Sequence, residues 1–158
     1  MKSSISVITL AVEDLERAVR FYRDGLGWPT PGIVGEGLAN AQVAFFDMGG
    51  GLKLALWPST SLMAETGWRT PSDASIGAAH HLLSGLSVHA PAPRTLLSHN
   101  VSEAAQVEQV LQRALQAGAR CVRAPYTPVW GGCVAFFADL DGHLWEVAWN
   151  PGFQGAFS

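Results

Sequence analysis

Apolar and polar residues alternate in Val7-Ile8-Thr9-Leu10-Ala11-Val12, which predicts a strand over Ile5–Val12. Ile8, Leu10 and Val12 share the face suited to a helix, and Val7, Thr9 and Ala11 share the other. The period then changes. In EDLERAVRFYRDGLG the positions Leu15, Ala18, Val19, Phe21, Tyr22 and Leu26 recur at helical spacing, and Gly25 and Gly27 stop the stripe. The same succession returns later. A strand over Thr95–Val101, with Leu96, Ser98 and Asn100 on one face, runs into SEAAQVEQVLQRALQAGA. There Ser102 or Glu103 begins a helix striped by Ala104, Val107, Leu111 and Leu115, and Gly118 ends it.

Downstream of each helix the chain repeats again. Residues 43–57 lie over residues 134–148 without a gap, so that Val43-Ala44-Phe45-Phe46 falls on Val134-Ala135-Phe136-Phe137. Gly51 and Gly142 each come five residues after the second phenylalanine, and both segments read as strand, tight turn, strand. On the last strand Leu144, Glu146 and Ala148 share one face, while Trp145, Val147 and Trp149 share the face that packs on a helix. A further strand is expected around Ile33-Val34 in the first half and Arg120-Cys121-Val122-Arg123 in the second. Each half is therefore βαβββ. The halves span residues 1–58 and 95–150, joined by a linker at 59–94 with a short helix over Ser59–Thr66, and a tail follows at 151–158.

Composition narrows the function. The 158 residues are 48% hydrophobic and 15% charged, with 17 glycines and 9 prolines, which fits one packed domain. A net charge of -3 without basic runs argues against nucleic acid. No apolar stretch is long enough to span a membrane, and acidic residues interrupt the start before a signal-peptide pattern is complete, so a cytoplasmic location is expected. Cys121 and Cys133 are too few for a disulfide framework and read as buried free thiols.

The phrases ITLAVEDLERAVRFYRDGLGW, LLSHNVSEAAQVEQVLQRALQAGAR and VWGGCVAFFADLDGHLWEVAWNPGF occur in this order. Together they make the chain resemble the vicinal oxygen chelate superfamily, which contains glyoxalase I, extradiol dioxygenases, fosfomycin resistance proteins and bleomycin resistance proteins. The resemblance implies an α+β fold, with two βαβββ modules forming an open, curled mixed sheet around a cavity and helices outside. It also implies a small-molecule ligand and a homodimer. Val7, Thr9, Ala55, Trp57, Leu96, Ser98, Asn100 and Trp130 are then the expected cavity residues.

Metal-using members of that family hold a divalent ion with donors that the resemblance maps to Val7, Ala55, Leu96 and Glu146. Of these only Glu146 can coordinate, so no cofactor is expected, and a divalent ion, if bound, would use Glu146. His80, His81 and His89 lie in the linker, His143 follows a hairpin turn, and His99 has helix-side parity. For His99 a half-buried ring bonded to a backbone carbonyl is expected. Glu146 has two readings. It is either a general acid or base with a pKa raised by an apolar cavity, or a structural group hydrogen-bonded by Thr9, Ser98, Asn100 or an arginine. Trp57 and Trp130 stand at strand ends, where indoles can stack a flat ligand and orient it with their N–H groups. Trp145 and Trp149 are expected to pack against helices, and Trp28 and Trp68 have no assigned role. Two functions remain open. One is a binding protein similar to the metal-free bleomycin-resistance branch, taking a small, partly apolar or aromatic molecule. The other is a metal-dependent lyase, isomerase or dioxygenase using Glu146.

Overall fold

The computed structural model describes residues 4–67 and 94–153. Its first strand, β1 (Val7–Val12), buries Leu10 and Val12 and leaves Val7 and Thr9 exposed, as the alternation requires. The Asp14 carboxylate accepts the Arg17 N–H at 2.9 Å and so caps α1 (Leu15–Arg20). The helix widens into a π-helical turn over Phe21–Gly25. Gly25 is needed there because a Cβ would collide with the Cβ of Ala117 in the other module. The module closes with β2 (Ile33–Val34), β3 (Val43–Asp47) and β4 (Lys53–Pro58), followed by α2 (Ser59–Thr66).

The second module repeats the order as β5 (Leu97–Asn100), α3 (Ala104–Gln116), β6 (Arg120–Tyr126), β7 (Cys133–Ala138) and β8 (Leu144–Trp149). The start of α3 is held by the Gln106 side chain, whose oxygen accepts the backbone N–H groups of Ser102 and Glu103 at 3.0 and 3.1 Å. Val107, Leu111 and Ala114 are its buried stripe, while Ala104 is exposed.

The α+β class, the two βαβββ modules and the open sheets agree with the sequence reading. One detail differs. The strands make two separate four-stranded sheets, ordered β1-β4-β3-β2 and β5-β8-β7-β6, rather than one curled sheet. In each, the first and last strands of the module pair in parallel and the hairpins pair antiparallel. The cause lies in the helix-covered faces. Leu10, Val12, Phe46 and Leu56 from one sheet join Ala135, Phe137, Trp145 and Val147 from the other in a single hydrophobic core. Tyr22 bridges them, with its ring centroid 5.9 Å from both Phe46 and Trp145.

Polar groups stitch the same junction. Buried Asp139 accepts the Tyr22 hydroxyl on one oxygen and the N–H groups of Asp141 and His143 on the other. Trp145 donates its indole N–H to the Tyr22 oxygen at 3.1 Å, and Arg17 pairs with Asp141 at 3.0 Å. Burial first, and the Asp139 charge second, push the Tyr22 phenol well above its usual pKa. A full set of partners is what makes this buried carboxylate tolerable.

The thiols depart from expectation. Cys121 is exposed because β6 is an edge strand whose first five residues all face solvent, and Cys133, the first residue of β7, is only half-buried. Among the described residues no helix is long and apolar enough to cross a membrane.

Candidate functional site

The faces of the two sheets turned away from the shared core carry the candidate chemistry. On the first, register aligns Thr9, Ala55 and Phe45 in one row across β1, β4 and β3. A cavity of about 600 Å³ opens over this row. It gathers four of the predicted residues, Val7, Thr9, Ala55 and Trp57, and adds Val43, Phe45 and Glu65. All the described residues that line it come from the first module and α2, and none of them belongs to the second module.

The loop before β3 walls one side with Ala39, Asn40 and Ala41. There the Asn40 carbonyl accepts the Trp57 indole N–H at 2.9 Å. Asn40 has φ 56, the one positive value among the described non-glycine residues, in a conformation that asparagine tolerates better than most. The Trp57 N–H is thus engaged by the protein itself. This bond takes up the donor that the sequence suggested would orient a ligand, and leaves Trp57 as part of the cavity wall.

On the second face the corresponding row is Ser98, Glu146 and Phe136. Ser98 donates its hydroxyl to Glu146 at 2.6 Å, which matches the hydrogen-bonded alternative for this half-buried carboxylate. Beside the row, the Tyr126 ring lies 6.5 Å from Phe136, and the Arg123 guanidinium sits 3.3 Å over the Tyr126 ring.

The remaining predicted residues are dispersed. Leu96 precedes β5 and is 43% exposed. Asn100 lines a separate groove of about 550 Å³ along α3, together with His99, Gln106 and Arg113. Trp130 is 50% exposed, on the connection from β6 to β7, where its ring covers Gly132 too closely for any Cβ.

At the positions where the resemblance puts metal ligands, Val7, Ala55 and Leu96 offer no donor and Glu146 offers a carboxylate, so these residues do not fit the family's metal set. Among the described residues no three His, Cys, Asp or Glu side chains cluster to hold an ion. His143 uses a ring nitrogen to bond the Ala11 carbonyl at 2.8 Å. His99 does lie on the helix side, with its ring 6.1 Å from Trp28, and burial lowers its pKa. His80, His81, His89 and Trp68 lie outside the described residues.

Three residues escaped the sequence reading. Phe45 was legible, since it shares the aligned motif with Phe136 and its parity sets it beside Ala55. Glu65 was not, because a short helix with no strong stripe gives no sign of what it faces. Trp28 follows a glycine in a loop, yet it stacks on Tyr22 at 5.5 Å and meets Trp145 edge-on at 5.4 Å. Trp145 is buried as expected, and Trp149 is partly buried against the core.

Comparison with known proteins agrees with this architecture. The family model for the Glyoxalase/Bleomycin resistance protein/Dioxygenase superfamily matches residues 4–147. A glyoxalase-related enzyme from Fulvimarina pelagi is 30% identical, with a TM-score of 0.71 over 95% of this chain and 90% of its own. A lactoylglutathione lyase from Agrobacterium tumefaciens is 20% identical, with a TM-score of 0.55 over 94% of this chain and 95% of its own. A fosfomycin resistance protein from Listeria monocytogenes, solved with Mn(II) and a dihydroxypropylphosphonic acid, is 18% identical, with a TM-score of 0.61 over 98% of this chain and 96% of its own. The last two likenesses establish the fold alone. No match is found among curated proteins. The matched span covers both βαβββ modules, and the chain belongs to the Glyoxalase/Bleomycin resistance protein/Dioxygenase superfamily.

Proposed function

We propose that the protein binds a small, partly apolar or aromatic molecule on the open face of its first module, with Val7, Thr9, Phe45, Ala55 and Trp57 as the wall. The observation that carries this reading is the cavity of about 600 Å³ over the Thr9–Ala55–Phe45 row. Its size and its apolar lining with few polar groups suit a small organic guest. Val7 and Ala55 stand where a metal-using relative would need ligands, and they favour a contact with hydrocarbon. The cavity is open on one side. A second copy of the chain presenting its Ser98–Glu146–Phe136 face would close it, which makes a homodimer the working form.

Glu146 supports a second reading, a metal-dependent lyase, isomerase or dioxygenase, because its carboxylate lies on an open sheet face at a family ligand position. Metal analysis of the purified protein separates the two. The binding reading expects the same metal content in the parent and in Glu146→Ala. A stoichiometric divalent ion that disappears in the variant overturns it. Sedimentation tests the dimer, with a monomer at micromolar concentration as the contrary result. Fluorescence titration with small aromatic compounds tests the wall: a Trp57→Phe variant whose response to every hit equals the parent's removes Trp57 from the site.

A further inference from the structure

The cavity over the first module contains one ionisable side chain, Glu65, among the described residues that line it. The other described residues that line it are apolar or neutral. The other polar groups of the described lining are the Thr9 hydroxyl and the loop at Asn40. Glu65 sits in the last turn of α2, a helix with no basic residue in that turn. A carboxylate there adds to the negative end of the helix dipole instead of opposing it, so its placement costs the helix stability. No ion pair holds Glu65 among the described residues, and the three observed salt bridges all involve other acids. A negative charge therefore stands in the wall of an apolar cavity whose other described lining residues include no cation, Lys53 lying in the next register position beside Val7.

Trp57 adds an independent constraint. Its indole N–H is already donated to the Asn40 carbonyl, and this bond fixes the ring. The ring cannot serve a guest as a hydrogen-bond donor. It can offer its π-face, the negative side of the aromatic quadrupole and the strongest cation–π surface among the amino acids.

We infer that the guest of this cavity is an organic cation, an amine or quaternary ammonium attached to an apolar or aromatic body, with Glu65 and the face of Trp57 selecting its positive charge. The inference rests on the binding reading above and narrows it. The two features act on the same charge from different elements, a helix end and a strand end. An anionic guest of the same shape meets the Glu65 charge as a repulsion instead of a partner and binds more weakly.

The test uses the full-length protein and three probes of one shape, benzyltrimethylammonium, benzyl alcohol and benzoate, titrated by calorimetry at low salt. The expected order is benzyltrimethylammonium tightest and benzoate weakest. Glu65→Gln is expected to weaken the cation by roughly threefold to fivefold, the range of an exposed ion pair, and to leave benzyl alcohol unchanged. Glu65 is exposed, so this variant is expected to fold, which its unfolding midpoint checks. Trp57→Leu is expected to weaken the cation more than the alcohol. Added salt is expected to weaken only the cation. Equal binding of all three probes, or a cation affinity unmoved by Glu65→Gln, overturns the charge selection. If those equal affinities still fall in Trp57→Leu, the apolar binding reading survives. If no probe binds, both fall together.

Discussion

The two open faces of this molecule are built from the same repeated sequence and end in different chemistry. Thr9, Ala55 and Phe45 form the row on one, and Ser98, Glu146 and Phe136 form the row on the other. The hydroxyl at the edge and the phenylalanine on the hairpin are kept. Only the middle residue changes, from a methyl group to a carboxylate. A cavity opens over the row with the methyl, whereas on the other row the carboxylate draws the neighbouring hydroxyl onto itself at 2.6 Å. The repeat thus fixes which positions meet, and one residue per row decides what a meeting point can do.

The strongest way to break the comparison is to attack what the two faces share. Trp145→Ala removes a buried side chain from the common core and is expected to cost about 3–5 kcal/mol. Urea unfolding followed by circular dichroism measures it. A loss under 1 kcal/mol would show that the modules are stabilised separately. Next comes conversion of one row into the other. Ala55→Glu places a carboxylate at a 2% exposed site beside Thr9, and a destabilisation of about 2 kcal/mol with loss of aromatic-probe binding is expected. Retained binding would disconnect the cavity from that row. A smaller effect is expected from Ser98→Ala, which takes the donor from Glu146 and should cost about 1 kcal/mol or less, read from the same unfolding curves.

The smallest effect is a pH dependence from His99. Burial lowers its folded pKa below the ordinary value near 6.5, so at lower pH the unfolded chain binds more protons than the folded one. Stability from this group is present above about pH 6.5 and declines as pH falls through that value toward the folded pKa. His99→Gln is expected to flatten that decline. An equally steep profile in the variant would assign the slope to other groups.

Much of the fold could be read from periodicity alone. Ile8, Leu10 and Val12, the helix stripes and both hairpins are governed by local alternation and turn residues, and they fall where that alternation put them. The meeting of the helix-covered faces could not be read. It depends on how Tyr22 and Trp28 fit against Trp145, a match of shapes between residues more than a hundred positions apart. The site was legible to the same depth. Strand parity placed Val7 and Thr9, the resemblance added Ala55, a strand end added Trp57, and one cavity is lined by all four. Trp130 was assigned from its place at a strand end and Asn100 from its parity with Leu96 and Ser98, but Trp130 is 50% exposed on its connection, and Asn100 lines the groove along α3. Glu65 needed α2 to be set in space before its direction had meaning.

The single core behind both faces has a consequence for cooperativity. Gly25 lets the π-helical turn press against Ala117, and Tyr22 reaches across to Asp139. Neither repeat keeps a complete interior when cut from its twin: a chain ending after β4 would expose Phe46 and Tyr22, and its complement would expose Phe137 and Trp145. The duplicated units are therefore expected to melt as one, so that the gain or loss of either half is all-or-none.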